Sequence, residues 1–125
     1  MNLVRYPVVV DREHLTYKFL SKGPNGIIRK IVFYRKIDDN MFTLEFGDWD
    51  VGKREIDDKA RSNNNDRNKV IATVALTVTD FIKHYPQTVI VARGSTPART
   101  RLYQMGIFAN WPEISKRKGR KLRRF

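Results

Sequence analysis

The sequence predicts an α+β domain: an antiparallel meander of three to four strands, then helix, strand and helix. In the order β-β-β-β-α-β-α this gives a single layer of sheet backed by helices. Three observations predict it. The β-rich runs 16-TYKFLSK-22, 27-IIRKIVFYRKI-37 and 41-MFTLEFGDW-49 follow one another with only turn residues between them. A stripe of apolar residues at helical spacing occupies 70–85. A short, continuously apolar run, 88-TVIVA-92, then leads into 94-GSTPARTRLYQMGI-107, which begins like a helix N-terminus.

Between the first two runs, Gly23-Pro24-Asn25-Gly26 joins a preset φ at proline to two glycines tolerant of positive φ, which suits a hairpin loop. Asp38-Asp39-Asn40 marks a second turn. In the third run Phe42, Leu44 and Phe46 alternate with Thr43, Glu45 and Gly47, the period of two of a strand with one buried face. Tyr6 to Val10 is expected as an edge strand. The rhythm is lost in 50-DVGKREIDDKARSNNND-66, which reads as a long exposed loop, with 51–65 as the least ordered internal segment.

Val70, Ile71, Val74, Ala75, Val78, Phe81, Ile82 and Tyr85 form one broad stripe, which outweighs the β-branched content and predicts a helix over 67–85. Asn65 or Asp66 is placed to cap it and Pro86 to end it. Strand 88–92, apolar throughout, belongs in the interior of the sheet. Gly94 then permits a sharp turn, Ser95 or Thr96 can cap, Pro97 suits a first helical turn and Gly106 a terminus, so a second helix is expected over 96–105. Its inward stripe is Ala98, Leu102 and Met105. The segment 108-FANWPEI-114 is expected to cover the end of that helix, with Trp111 as anchor.

Composition bounds the function. The chain has 125 residues, read as one domain over 1–115 with a basic tail over 116–125. It contains no cysteine, which excludes disulfides, thiolate nucleophiles and Cys-ligated metals. His14 and His84 lie far apart in sequence, so no metal is expected. No signal-peptide core and no long apolar run is present, which points to a soluble, cytoplasmic protein without membrane contact. Lys and Arg number 25 against 13 acids, for a net charge of +12. Seven of those cations are Lys116, Arg117, Lys118, Arg120, Lys121, Arg123 and Arg124; removing them leaves +5 for the remainder. Such a block attracts polyanions through counterion release and makes the tail a candidate nucleic-acid arm, the alternative being that it only aids solubility.

A strand, a Gly-Ser-Thr turn and a helix N-terminus together make an anion site, because free N–H groups and the positive end of the helix dipole point at the turn. Arg93, Gly94, Ser95, Thr96, Arg99 and Tyr103 are the candidate anion-binding residues, with the two arginines suited to bidentate contacts. The alternative is that these arginines pair with acids of the 50–66 loop or face water. Arg29, Lys30, Arg35 and Lys36 could extend a cationic track, although alternation sends them to opposite faces. For acid–base chemistry the candidates are Tyr103 and Glu45.

Two resemblances follow from these residues. GSTPARTRLYQMGI after an apolar strand resembles the signature of a small bacterial family of uncharacterised proteins of about this length, which implies that the 93–103 segment matters and implies no reaction. The element order over 27–107, ending in Leu102-Tyr103 and Gly106-Ile107, resembles the second half of the Gcn5-related acetyltransferase fold. That likeness implies acetyl-CoA as cofactor and Tyr103 as general acid; Thr96 stands where that family has Asn and Arg99 where it has Ala. The family's glycine-containing loop has 61-RSNNNDRNKV-70 in its place.

The leading expectation is therefore a small basic protein that binds nucleic acid or another phosphate-bearing ligand through the Gly-Ser-Thr turn and helix 96–105, without a cofactor. The alternative is a degenerate acetyltransferase-like enzyme or an RNA-targeting toxin, with acetyl-CoA required under that reading alone. A partner protein with an acidic docking surface is a third class. The sequence leaves the oligomeric state open.

Overall fold

A computed structural model describes residues 5–57 and 64–92, together with the backbone of 121–123. The elements are β1 (Val9–Val10), β2 (Thr16–Gly23), β3 (Gly26–Asp38), β4 (Met41–Asp50), β5 (Glu55–Asp57), α1 (Arg67–His84), β6 (Val89–Ala92) and β7 (Lys121–Arg123). The helix expected over 96–105 and the Trp111 anchor lie outside the described residues.

The meander forms as the alternation predicts. β2 pairs antiparallel with β3 from Thr16↔Phe33 to Gly23↔Gly26, which leaves Pro24-Asn25 as a two-residue turn. Gly26 supplies the positive φ, at 85°. Gly23 serves a different purpose. A Cβ there would meet the backbone oxygen of Asn64 and would lie 2.7 Å from Asn64 Cβ, so its missing side chain makes room for the segment that enters α1. β3 pairs antiparallel with β4, with an irregularity between Lys36 and Asp38. The edge strand expected over 6–10 is reduced to Val9–Val10, paired with β2.

β6 joins the sheet parallel to β4, from Met41↔Val89 to Leu44↔Ala92, so α1 is the crossover of a parallel pair. β7 pairs parallel with the other edge of β6, which makes β6 the interior strand that its apolar run predicts and places Lys121–Arg123 in the sheet. The stretch expected as one long loop is more structured than its polarity suggests. Glu55–Asp57 pair antiparallel with Asp48–Asp50, and Asn64 is buried at 3% exposure. The reason is local satisfaction of polar groups: Asn64 Nδ2 donates to the carbonyl of Gly26 at 3.0 Å and to Ser21 Oγ at 3.1 Å, while its Oδ1 accepts from the Asn25 amide at 2.8 Å. Residues 58–63 lie outside the described part.

α1 packs on one face of the sheet. Tyr17, Phe19, Val32, Tyr34, Phe42, Leu44, Phe46 and Ile90 meet Val70, Val74, Val78, Phe81 and Ile82 in one core. The Phe81 ring stacks on Tyr34 at 4.1 Å and meets the edge of Phe42 at 5.0 Å. Each such side chain contributes about 1.5–3 kcal/mol on burial. Burial extends beyond the apolar stripe to Thr73 and Thr77. Both hydroxyls are satisfied: Thr73 Oγ1 donates to the Lys69 carbonyl and accepts from the Tyr6 amide, and Thr77 Oγ1 donates to the Val74 carbonyl. That leaves the Tyr34 hydroxyl as the donor to Thr77 Oγ1, at 2.8 Å. Asp66 occupies the N-cap position but makes no side-chain cap bond. Its carboxylate accepts instead from Tyr6 at 2.6 Å and Ser21 at 2.5 Å.

Candidate nucleic-acid interface

The second face of the sheet bears no helix among the described residues. Register assigns its occupants: Thr16, Phe33 and Glu45 share one row, and Lys18, Ile31 and Gly47 the next. Trp49 continues the side of β4 on which Thr43, Glu45 and Gly47 lie, because alternate residues point the same way. Gly47 has a reason to be glycine: a Cβ would meet Ile56 Cγ2 at 2.6 Å, so β5 lays Ile56 over this face.

Trp49 is the centre of the surface. It borders three hollows, of about 430, 510 and 350 Å³. Lys18, Leu20, Lys22, Arg29 and Lys30 line the first, Phe33, Arg35, Glu45, Arg54, Glu55 and Ile56 the second, and Ile27, Arg29, Asp48, Asp50, Val51 and Asp57 the third, which is acidic. Lys18 Nζ stands 5.6 Å from the Trp49 ring centroid, and the Arg35 guanidinium 5.3 Å from that of Phe33. Leu20 and Ile27 stay 44% and 65% exposed. Flat rings flanked by cations can hold a base by stacking and a phosphate by charge.

Of the cations expected to form a track, Arg29 and Arg35 lie beside these hollows. Lys30 borders the first hollow as well, but from the α1 side: it is 8% exposed and pairs with Asp48 at 2.5 Å above the Phe46 ring. Glu45 is gripped by Arg35, through Nε at 2.6 Å and Nη2 at 3.2 Å, and accepts from Thr43 Oγ1 at 3.3 Å. Those bonds hold the Arg35 pKa above its ordinary value. Arg93, Gly94, Ser95, Thr96, Arg99 and Tyr103 lie outside the described residues, as do Lys116, Arg117, Lys118, Arg120 and Arg124; Lys121 and Arg123 are in β7. The two histidines, whose separation in sequence argued against a metal, are brought into ring contact by the fold. Among the described residues no helix is long and apolar enough to cross a membrane.

Trp49 was not among the residues that the sequence singled out. The signal was present, since the alternation that gives Thr43, Glu45 and Gly47 one face gives Trp49 the same face. Its cross-sheet neighbours, by contrast, depend on pairing that no local pattern states.

Residues 2–118 match a family of unknown function, DUF6934, and the chain belongs to that family. No curated protein and no solved structure matches it.

Proposed function

We propose that this family member binds single-stranded nucleic acid across the sheet face opposite α1, with Trp49 as the stacking platform. The observation that carries the reading is the partly exposed Trp49 ring with Lys18 Nζ above it, set where two cation-lined hollows meet. Stacking on an aromatic ring is tolerant of base identity and contributes about 1–3 kcal/mol per base. Lys18, Lys22, Arg29 and Arg54 supply charge for the backbone, in keeping with the net charge of +12. In this reading the turn with Arg93, Ser95, Thr96 and Arg99 is a further phosphate contact, the signature 94–107 carries that contact, and the basic tail draws the polyanion in.

The test is fluorescence anisotropy of a labelled single strand of about 10 nucleotides, at several salt concentrations. Trp49→Ala should weaken binding by about 1–3 kcal/mol while Trp49→Phe retains most of it. Lys18→Ala and Arg29→Ala should each flatten the salt dependence by roughly 0.7 in the log–log slope. Equal affinity and slope for wild type and Trp49→Ala would overturn the reading.

The acyltransferase-like alternative rests on the crossover from β4 through α1 to β6, which follows the expected order of elements. Acetyl-CoA is its cofactor and Tyr103 its general acid. It predicts a rise in melting temperature with acetyl-CoA that free phosphate does not reproduce.

A further inference from the structure

The second hollow differs from the first in carrying both signs of charge on apolar walls. Its volume of about 510 Å³ lies within the range of small-ligand sites. Ile31, 4% exposed, and the partly exposed ring of Phe33 belong to its lining. Ile56 joins them in the space that Gly47 leaves by having no Cβ. Trp49 borders it, with Lys18 beside that ring. The charged groups around these surfaces are Arg35 and Arg54, and the carboxylates of Glu45 and Glu55.

These groups are held in place. Glu45 Oε2 accepts from Arg35 Nε at 2.6 Å and from Thr43 Oγ1 at 3.3 Å, and Oε1 accepts from Arg35 Nη2 at 3.2 Å. A carboxylate offers about four lone-pair sites, so these bonds fix Glu45 and leave acceptor capacity on Oε1. Arg35 keeps N–H donors unspent, and its guanidinium lies 5.3 Å from the Phe33 ring centroid. Arg54 is set by a tight turn. Its φ is 53°, a left-handed value uncommon outside glycine, and its amide donates to the Asp50 carbonyl at 2.7 Å. The Lys53 amide donates to Asp50 Oδ1 at 3.0 Å. Strained backbone persists where its surroundings require it, and here it sets Arg54 and Glu55 beside the hollow.

We infer that the second hollow reads guanine in the bound strand. The inference rests on the single-strand reading above and names the base that stacking alone leaves open, since a ring platform accepts any base. The polar groups are selective. Guanine sets two acceptors, O6 and N7, side by side on one edge and two N–H donors, N1 and N2, side by side on the next. Arginine matches the first edge, and the carboxylates of Glu45 and Glu55 match the second. Thymine and uracil would turn carbonyl oxygens toward those carboxylates. Adenine and cytosine each offer one amino group, next to a ring nitrogen whose lone pair a carboxylate repels.

The experiment is fluorescence anisotropy of the full chain with three labelled strands of about 10 nucleotides. One is thymine throughout, one has a single central guanine, and one has hypoxanthine, which lacks the N2 amino group, in that place. The guanine strand should bind about 5- to 100-fold more tightly than the thymine strand, the range for one good bidentate base contact. Hypoxanthine should lose most of that gain. Glu45→Gln, which puts an N–H donor beside the acceptor, should remove most of the preference, whereas Trp49→Ala should weaken binding of both strands. Equal affinity for guanine and thymine strands, with Trp49→Ala still weakening both, would overturn the guanine assignment and leave the single-strand reading standing. No binding of any strand would overturn both. If Glu45→Gln fails to fold, the wild-type comparison of guanine with hypoxanthine decides. Guanosine monophosphate is the free-nucleotide arm: if it displaces the guanine strand at concentrations comparable with the strand's own, the strand is overturned as the source of the guanine.

Discussion

Asn64 packs its backbone against Gly23, close enough that a methyl group on Gly23 would have to displace it. The contact joins the β2–β3 turn to the approach to α1, and the same asparagine ties that turn with three hydrogen bonds. Gly23→Ala should therefore cost about 1–3 kcal/mol, the range for overpacking a filled site. Urea denaturation checks it. Since Gly26 and not Gly23 holds the positive φ of the turn, a loss caused by backbone strain is expected at Gly26 instead.

Asp66 stands where a helix cap is expected, yet its carboxylate accepts hydrogen bonds from Tyr6 and Ser21. Burial first, and then the bond to Asp66, raise the Tyr6 pKa. An ordinary cap costs about 1 kcal/mol on removal. Asp66→Ala should exceed that, since bonds to a charged group contribute about 1.5–3 kcal/mol each. In a double-mutant cycle, Asp66→Ala and Tyr6→Phe should couple by at least about 0.5 kcal/mol. A cap with no other role would show additive effects.

Tyr34 is fully buried, and burial drives its pKa far above the ordinary phenol value; Tyr17 is shifted in the same direction, by burial and by the hydrogen bond to Asp80. A folded-state pKa above the unfolded one means that the native state holds the proton more tightly. The contribution is complete below the unfolded value of about 10 and is lost as pH rises beyond it. Each tyrosine then removes about 1.4 kcal/mol of stability per pH unit. Between pH 10 and 11.5, chemical denaturation of Tyr34→Phe should show a shallower fall than wild type by about that slope. Parallel curves would contradict it.

The meander, α1 and β6 were legible because each depends on a local pattern: alternation in β4, a stripe in α1, an unbroken apolar run in β6. What the pattern could not state was pairing at a distance. Glu55–Asp57 look like loop because three polar-flanked residues have no rhythm of their own; their strand exists because β4 offers an edge and Gly47 makes room for Ile56. Asn64 looks exposed because asparagine usually is, and is buried because its amide completes a turn made forty residues earlier in the chain. Trp49 and the pair His14 and His84 share that origin, being brought to their neighbours by the sheet and the helix.

Arg29 and Lys30 are adjacent cations that the strand sends to opposite faces, and they should separate cleanly by experiment. Arg29 lines two of the hollows around Trp49, and Lys30 borders the first of them from the α1 side. Lys30 is directly across from Asp48 and paired with it, with side chains only 10% and 17% exposed. Breaking such a pair strands a charge away from water, so Asp48→Ala should cost roughly 3 kcal/mol and Lys30→Met somewhat less, because the more exposed carboxylate can recover hydration. Replacing both at once, with Met and Leu, should cost less than either single loss, since no charge is left unpaired. Because Asp48 already neutralises the Lys30 ammonium, neither Lys30→Met nor the double variant should weaken binding of a single strand as Arg29→Ala does, at a temperature where both are folded. Arg29→Ala should do the reverse, leaving stability within about 0.5 kcal/mol of wild type while weakening binding. If Lys30→Met weakens binding as much as Arg29→Ala does, the Trp49 face alone does not hold the nucleic acid.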